Sequence, residues 1–140
     1  MKAYISEQKD SLVSYKETGL KPLSIYSRQE AIQDGELVDI SATTEAKEAG
    51  FKIPVCLTIS VQKLCEVPKG LEGLQDYKGR LWDTCYMAIL AFKAALAQDN
   101  DCRIVPFYVL YNMPNMEQLV KLWLVFNDYE SFTIMKPEDY

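Results

Sequence analysis

Between residues 80 and 98 the apolar side chains recur at helical spacing, and beyond Cys102 that spacing collapses to two. Leu81, Cys85, Ala88, Phe92 and Leu96 fall at i, i+4, i+7, i+11 and i+15, with Trp82, Tyr86 and Ile89 widening the stripe. This predicts a helix of about five turns lying across a core. Residues 103–111 and 118–127 are apolar runs of strand length parted by the turn residues Asn112-Met-Pro-Asn115, and Ser131–Met135 is a third, shorter run. In the second run Val120, Leu122, Leu124 and Phe126 form an apolar face, whereas Lys121, Trp123 and Val125 form a mixed one. An antiparallel meander packed by one face on the long helix satisfies both patterns, and its short last strand is expected to leave an open edge.

The N-terminal half is built of smaller pieces. Residues 1–22 are polar with isolated apolar positions and read as an appendage, which leaves residues 23–140 as one domain. A brief extended run, Leu23-Ser24-Ile25-Tyr26, precedes a capping-box spacing of Ser27 and Glu30 and a short helix ended by Asp34-Gly35. Leu37-Val38-Asp39-Ile40 repeats the pattern, with Ser41 as the expected N-cap of a helix over residues 42–49 and Gly50 as its stop. Pro54 can open a third helix running to Pro68, although the β-branched residues of 55–61 favour a strand. Residues 69–79 hold three glycines and read as a loop. The expected class is therefore α+β, with short strands and helices first, one long central helix and a closing meander.

Composition narrows function more by exclusion than by assignment. There is no histidine among 140 residues, so no Ser-His-Asp or Cys-His nucleophile and no imidazole metal site can be built. The formal charge of −5 disfavours nucleic-acid binding, which draws on a basic excess. Cys56, Cys65, Cys85 and Cys102 contain no C-x-x-C pair, so neither a metal nor a cofactor is expected and the thiols read as small buried hydrophobes. The start MKAYISEQKD has no apolar stretch, and no window of membrane-spanning length follows. A cytoplasmic location with no membrane partner is the resulting expectation.

Three constellations carry what chemistry the sequence offers. Lys78, Arg80, Trp82 and Asp83 stand at the start of the long helix, where free backbone donors and a partial positive charge could complete an anion site. The plainer reading pairs Arg80 with Asp34 or Asp39, makes Trp82 a core anchor and makes Asp83 a first-turn acid. Tyr26, Ser27 and Arg28 with Asp34 and Asp39 could give a cleft an acid, a base and a guanidinium, but helix capping and a turn account for most of them. Trp123 and Val125, with Tyr108 or Tyr111 alongside, could form a partner surface, since aromatic residues are enriched at interfaces. Two functions follow: a non-enzymatic accessory protein that binds another protein, host-derived or a second copy of itself, or a small enzyme or anion-binding domain using the helix start at Arg80 with nearby acids.

Several stretches together carry a likeness: Ile25-Tyr26-Ser27-Arg28 through Ala31-Ile32, Asp34-Gly35 and Leu37-Val38-Asp39, then Ala46 through Gly50-Phe51-Lys52 to Pro54-Val55, then Gly79-Arg80-Leu81-Trp82-Asp83, and finally Thr133-Ile134-Met135 with Pro137-Glu138-Asp139. In these the chain resembles a family of small uncharacterised bacterial, plasmid and phage proteins, from about Leu23 to residue 140. Lys136 departs from it, standing where an apolar residue is more usual. The resemblance implies a single bacterial domain and a mobile-element setting, and no chemistry.

Overall fold

The computed structural model describes residues 27–127 and 130–140, so the expectations for the appendage and for the strand at residues 23–26 lie outside the described residues. The described residues open on helix α1 (Arg28–Gln33), whose first turn is closed by Ser27: its hydroxyl accepts the Glu30 N–H at 3.1 Å, as the capping-box spacing predicts. Strand β1 (Leu37–Asp39) follows, and then helix α2 (Thr44–Ala49). Ser41 does not cap α2. Its hydroxyl is held by the backbone of Val55, accepting the N–H at 2.9 Å, so Thr43 takes the cap and accepts the Ala46 N–H at 3.2 Å. Gly50 ends α2 at φ 112°, a left-handed conformation that favours glycine.

The expected helix from Pro54 is corrected to strand β2 (Val55–Thr58) followed by helix α3 (Ile59–Cys65). The β-branched character of this stretch prevails because β2 is claimed from both sides: β1 pairs with it antiparallel, and strand β5 (Ser131–Met135) pairs with it parallel. Helix α4 (Tyr77–Ala97) is the long helix, three residues earlier at its start than the apolar stripe alone indicates, because Asp76 supplies an N-cap to Gly79 N–H at 2.7 Å. Strands β3 (Ile104–Met113) and β4 (Met116–Asn127) form a long hairpin, and β4 continues antiparallel into β5.

The fold is α+β, as expected, with α4 packed against the closing strands. The sheet, however, runs beyond the meander. Its order is β1-β2-β5-β4-β3, so the short strand β5 lies in the middle and, among the described residues, the open edges are β1 and β3. The reason is burial: all five residues of β5 are buried, a pattern that suits a strand covered on both faces and paired along both sides. On the helix side, Leu81, Cys85, Ala88 and Ile89 of α4 meet Val105, Phe107, Val109, Leu122, Leu124 and Ile134. Phe51, Phe92, Phe126 and Phe132 close one end of this layer, with ring centroids 4.7–5.8 Å apart. The four cysteines are free and buried, and burial pushes the Cys85 thiol up to about 12 and Cys65 to about 11, so neither is a nucleophile at neutral pH.

Candidate functional site

The site residues separate onto opposite edges of the sheet. Arg28 and Asp39 pair at the β1 edge, 2.9 Å apart and both partly solvated. Burial alone would raise the Asp39 carboxyl, but the Ser41 hydroxyl, the Ser41 N–H and the Arg28 guanidinium together hold it below the usual carboxylate range. Arg80 stands four strands away, roughly 19 Å at about 4.8 Å per step. The expected pairing of Arg80 with Asp34 or Asp39 is therefore excluded by topology, and so is any shared cleft between the two groups.

Arg80 is instead a buried tie between the helix and the edge strand. It is 5% exposed, with Nε donating to Leu64 C=O at 2.9 Å and Nη1 donating to Asn112 C=O at 2.9 Å and to Gln75 Oε1 at 2.7 Å. The guanidinium carbon lies 5.0 Å from the centre of the Tyr111 ring, an electron-rich surface. One helical turn further on, the Thr84 hydroxyl bonds to the Arg80 carbonyl at 2.8 Å and to the Tyr111 hydroxyl at 2.6 Å. Tyr111 is thus turned into the core and leaves the partner surface on which the sequence placed it as an alternative to Tyr108.

Around this tie lies an open cleft of about 380 Å³, walled by Leu74, Asp76, Gly79, Trp82, Asp83 and by Leu110 and Asn112 of β3. Its placement follows from strand alternation. Leu110 and Asn112 project from the sheet face opposite α4, whereas Trp82 and Asp83 stand on α4 itself, so a cleft touching both wraps the free edge of β3. Trp82 is half-buried and stacks on Tyr86 at 4.8 Å, a wall of the cleft more than a core anchor. Gly79 leaves the space that its cap needs: a Cβ there would meet Asp76 Oδ1 at 2.9 Å. Partial burial raises the Asp83 carboxyl against the opposing pull of Arg80. Lys78 is exposed and does not line the cleft.

The outer face of the β3–β4 hairpin adjoins the cleft through Leu110. Leu110 sits directly across from Leu119, Tyr108 from Lys121 and Pro106 from Trp123. Tyr108, Leu110 and Leu119 are 50%, 53% and 62% exposed, and Leu74 across the cleft is 80% exposed. Trp123 is half-buried, with the Tyr140 ring edge-on at 5.6 Å, and Val125, in register with Ile104 and Thr133, is buried. Sequence reasoning found Trp123 and Tyr108 on this face but missed Leu74, Leu110 and Leu119. The signal for Leu110 was available: β3 carries no charged residue in ten, unusual for a strand at an edge. Among the described residues no cluster of acids or thiols could hold a metal ion, and no helix is long and apolar enough to cross a membrane. No family model, no curated protein and no solved structure matches the chain.

Proposed function

We propose that the protein acts by binding another protein through the outer face of the β3–β4 hairpin, as a cytoplasmic accessory factor and not as an enzyme. The observation that carries this reading is the row of Tyr108, Leu110 and Leu119, three large apolar side chains at least half exposed and adjacent in register. Contiguous apolar surface of this kind is the mark of an interface, whereas single exposed residues are not. The polar groups support it from the other side. Arg80 donates to the backbone carbonyls of Leu64 and Asn112, Arg28 pairs with Asp39, and Asp76 and Asp83 on the cleft wall oppose an anion. The anion-binding alternative is left with Arg80 Nη2, which has no hydrogen-bond partner among the described residues but is buried.

A photoreactive amino acid in place of Leu119, compared with one in place of the solvent-facing Lys93, tests the reading in cells. A defined foreign protein crosslinked from position 119 and not from 93, and bound by the purified chain with affinity that falls at least tenfold in Leu110→Asp, is the expected outcome. A crosslink only to a second copy of the chain would replace this reading by self-association, and no adduct from position 119 would end it.

A further inference from the structure

The edge of β3 has a hydrogen-bonding pattern with a defined opening. In an antiparallel ladder, alternate residues point both backbone groups at the neighbouring strand and the others point both away. Arg103 C=O accepts from Phe126 N–H of β4 at 2.8 Å, and Asn112 C=O accepts from Arg80 at 2.9 Å, so the even-numbered residues of β3 face the open side. Pro106 has no N–H, and Asn112 C=O is already used. Tyr108 and Leu110 keep both backbone groups unpaired among the described residues, and Asn112 keeps its N–H: a short stretch of edge, closed at one end by a proline and at the other by an arginine.

This stretch runs into the cleft. A strand laid along it would send alternate side chains to the α4 side of the sheet, where Trp82, Asp76 and Asp83 stand. Two carboxylates line that space against a single guanidinium, Arg80, which is 5% exposed and donates through Nε and Nη1 to Leu64, Gln75 and Asn112, its Nη2 having no hydrogen-bond partner among the described residues. An indole face beside two carboxylates is complementary to an ammonium or guanidinium group on an apolar stem. The net charge of −5 favours encounter with a basic segment in the same sense.

We propose that the free edge of β3 takes up an extended peptide segment as a sixth strand, with a lysine or arginine of that segment seated between Trp82, Asp76 and Asp83. The inference rests on the protein-binding reading above and names the chemistry of the partner: an extended segment with one basic residue flanked by apolar ones. Main-chain hydrogen bonds to Tyr108 and Leu110 supply register, and the cleft supplies selectivity.

A library of random nine-residue peptides displayed on phage, selected against the full chain, tests it. The expected result is enrichment of β-prone peptides sharing one fixed Lys or Arg, with the Tyr108, Leu110 and Asn112 amide resonances moving when a synthetic winner is added. Replacing its basic residue by norleucine, or Asp83 by Asn in the protein, weakens binding about three- to tenfold, the range for one solvated ion pair with a cation–π contact. N-methylation of the peptide amides that face β3 abolishes binding. No enrichment, winners without a basic position, or winners insensitive to N-methylation each overturn the inference. The crosslink from Leu119 is independent, because that side chain lies on the hairpin face and off the edge. A foreign adduct there with no selected peptide sinks the edge inference alone, whereas basic winners at the edge without an adduct sink the hairpin-face reading alone.

Discussion

Strands β5 and β3 are both uncharged and rich in β-branched and aromatic residues, yet one is sealed and the other stands half open. In β5 every residue is buried; in β3 burial alternates along most of the strand, and the outward positions include Tyr108 and Leu110. Hydropathy does not separate them. What does is their place in the sheet, β5 between β2 and β4, and β3 beside β4 alone among the described residues. An apolar residue in the middle of this sheet is stability, and the same residue at its edge is surface available for recognition.

Substitutions along the two strands measure that contrast. Ile134→Ala in β5 removes a fully buried side chain between β2 and β4, and is expected to cost about 2–5 kcal/mol by urea unfolding. A loss under 1 kcal/mol would mean that β5 is not the centre of the sheet. Arg80→Met keeps the apolar stem but strips the donors from Leu64 C=O and Asn112 C=O, so a loss of about 2–3 kcal/mol is expected, with the β3 end of the hairpin becoming more susceptible to proteolysis. An unchanged unfolding midpoint would show that the tie contributes nothing to the edge.

Smaller effects follow at the C-terminal turn. The 3-10 helix Pro137–Asp139 is latched by Asp139, whose carboxylate accepts from Thr58 Oγ1 at 2.8 Å, from Lys136 N–H at 2.9 Å and from the Ser60 hydroxyl. Burial raises this carboxyl, but those donors outweigh it and hold it below the ordinary aspartate value of 3.8. A depressed folded-state value means that the stabilisation is complete above 3.8 and lost as pH falls through the lower folded value. Asp139→Asn is expected to cost about 0.5–1 kcal/mol at pH 7, with the gap to the parent protein closing below that point. Its fluorescence readout is Trp123, against which Tyr140 rests; a gap that persists unchanged into acid would show that the carboxylate charge is irrelevant. Leu110→Ala at the β3 edge is expected to change stability by about 0.5 kcal/mol or less, while weakening partner binding. A large loss of stability would return Leu110 to the core and remove the contrast.

Local signals in the sequence served well where local forces decide. The Ser27 cap, the Gly50 stop, the helical stripe of Leu81, Cys85 and Ala88, and the three closing strands are short-range features, each legible from spacing alone. Pairings between distant segments were not. Residues 55–58 look equally apolar as helix or strand until β1 and β5 flank them, and Ser41 looks like a cap until Val55 takes its hydroxyl. The cleft was legible only by half. Arg80, Trp82 and Asp83 announced themselves as a cluster, but Leu110 and Asn112 lie about thirty residues further along and join them only because β3 is at the edge. The same topology took Arg28 and Asp39 away from that cluster.

The parallel pairing of Val55, Cys56 and Leu57 with Phe132, Thr133 and Ile134 has a temporal consequence. Ribosomes deliver the central strand after every other strand of the sheet, so β1 and β2 on one flank and the hairpin on the other must wait for the same five residues before they share a ladder. Contacts spanning more than seventy positions incur their loop-closure cost before they contribute any stability, and this slows the search for the native state. Until β5 arrives, the nascent polypeptide exposes two additional unsatisfied strand borders, one on β2 and one on β4, each a template for misassembly.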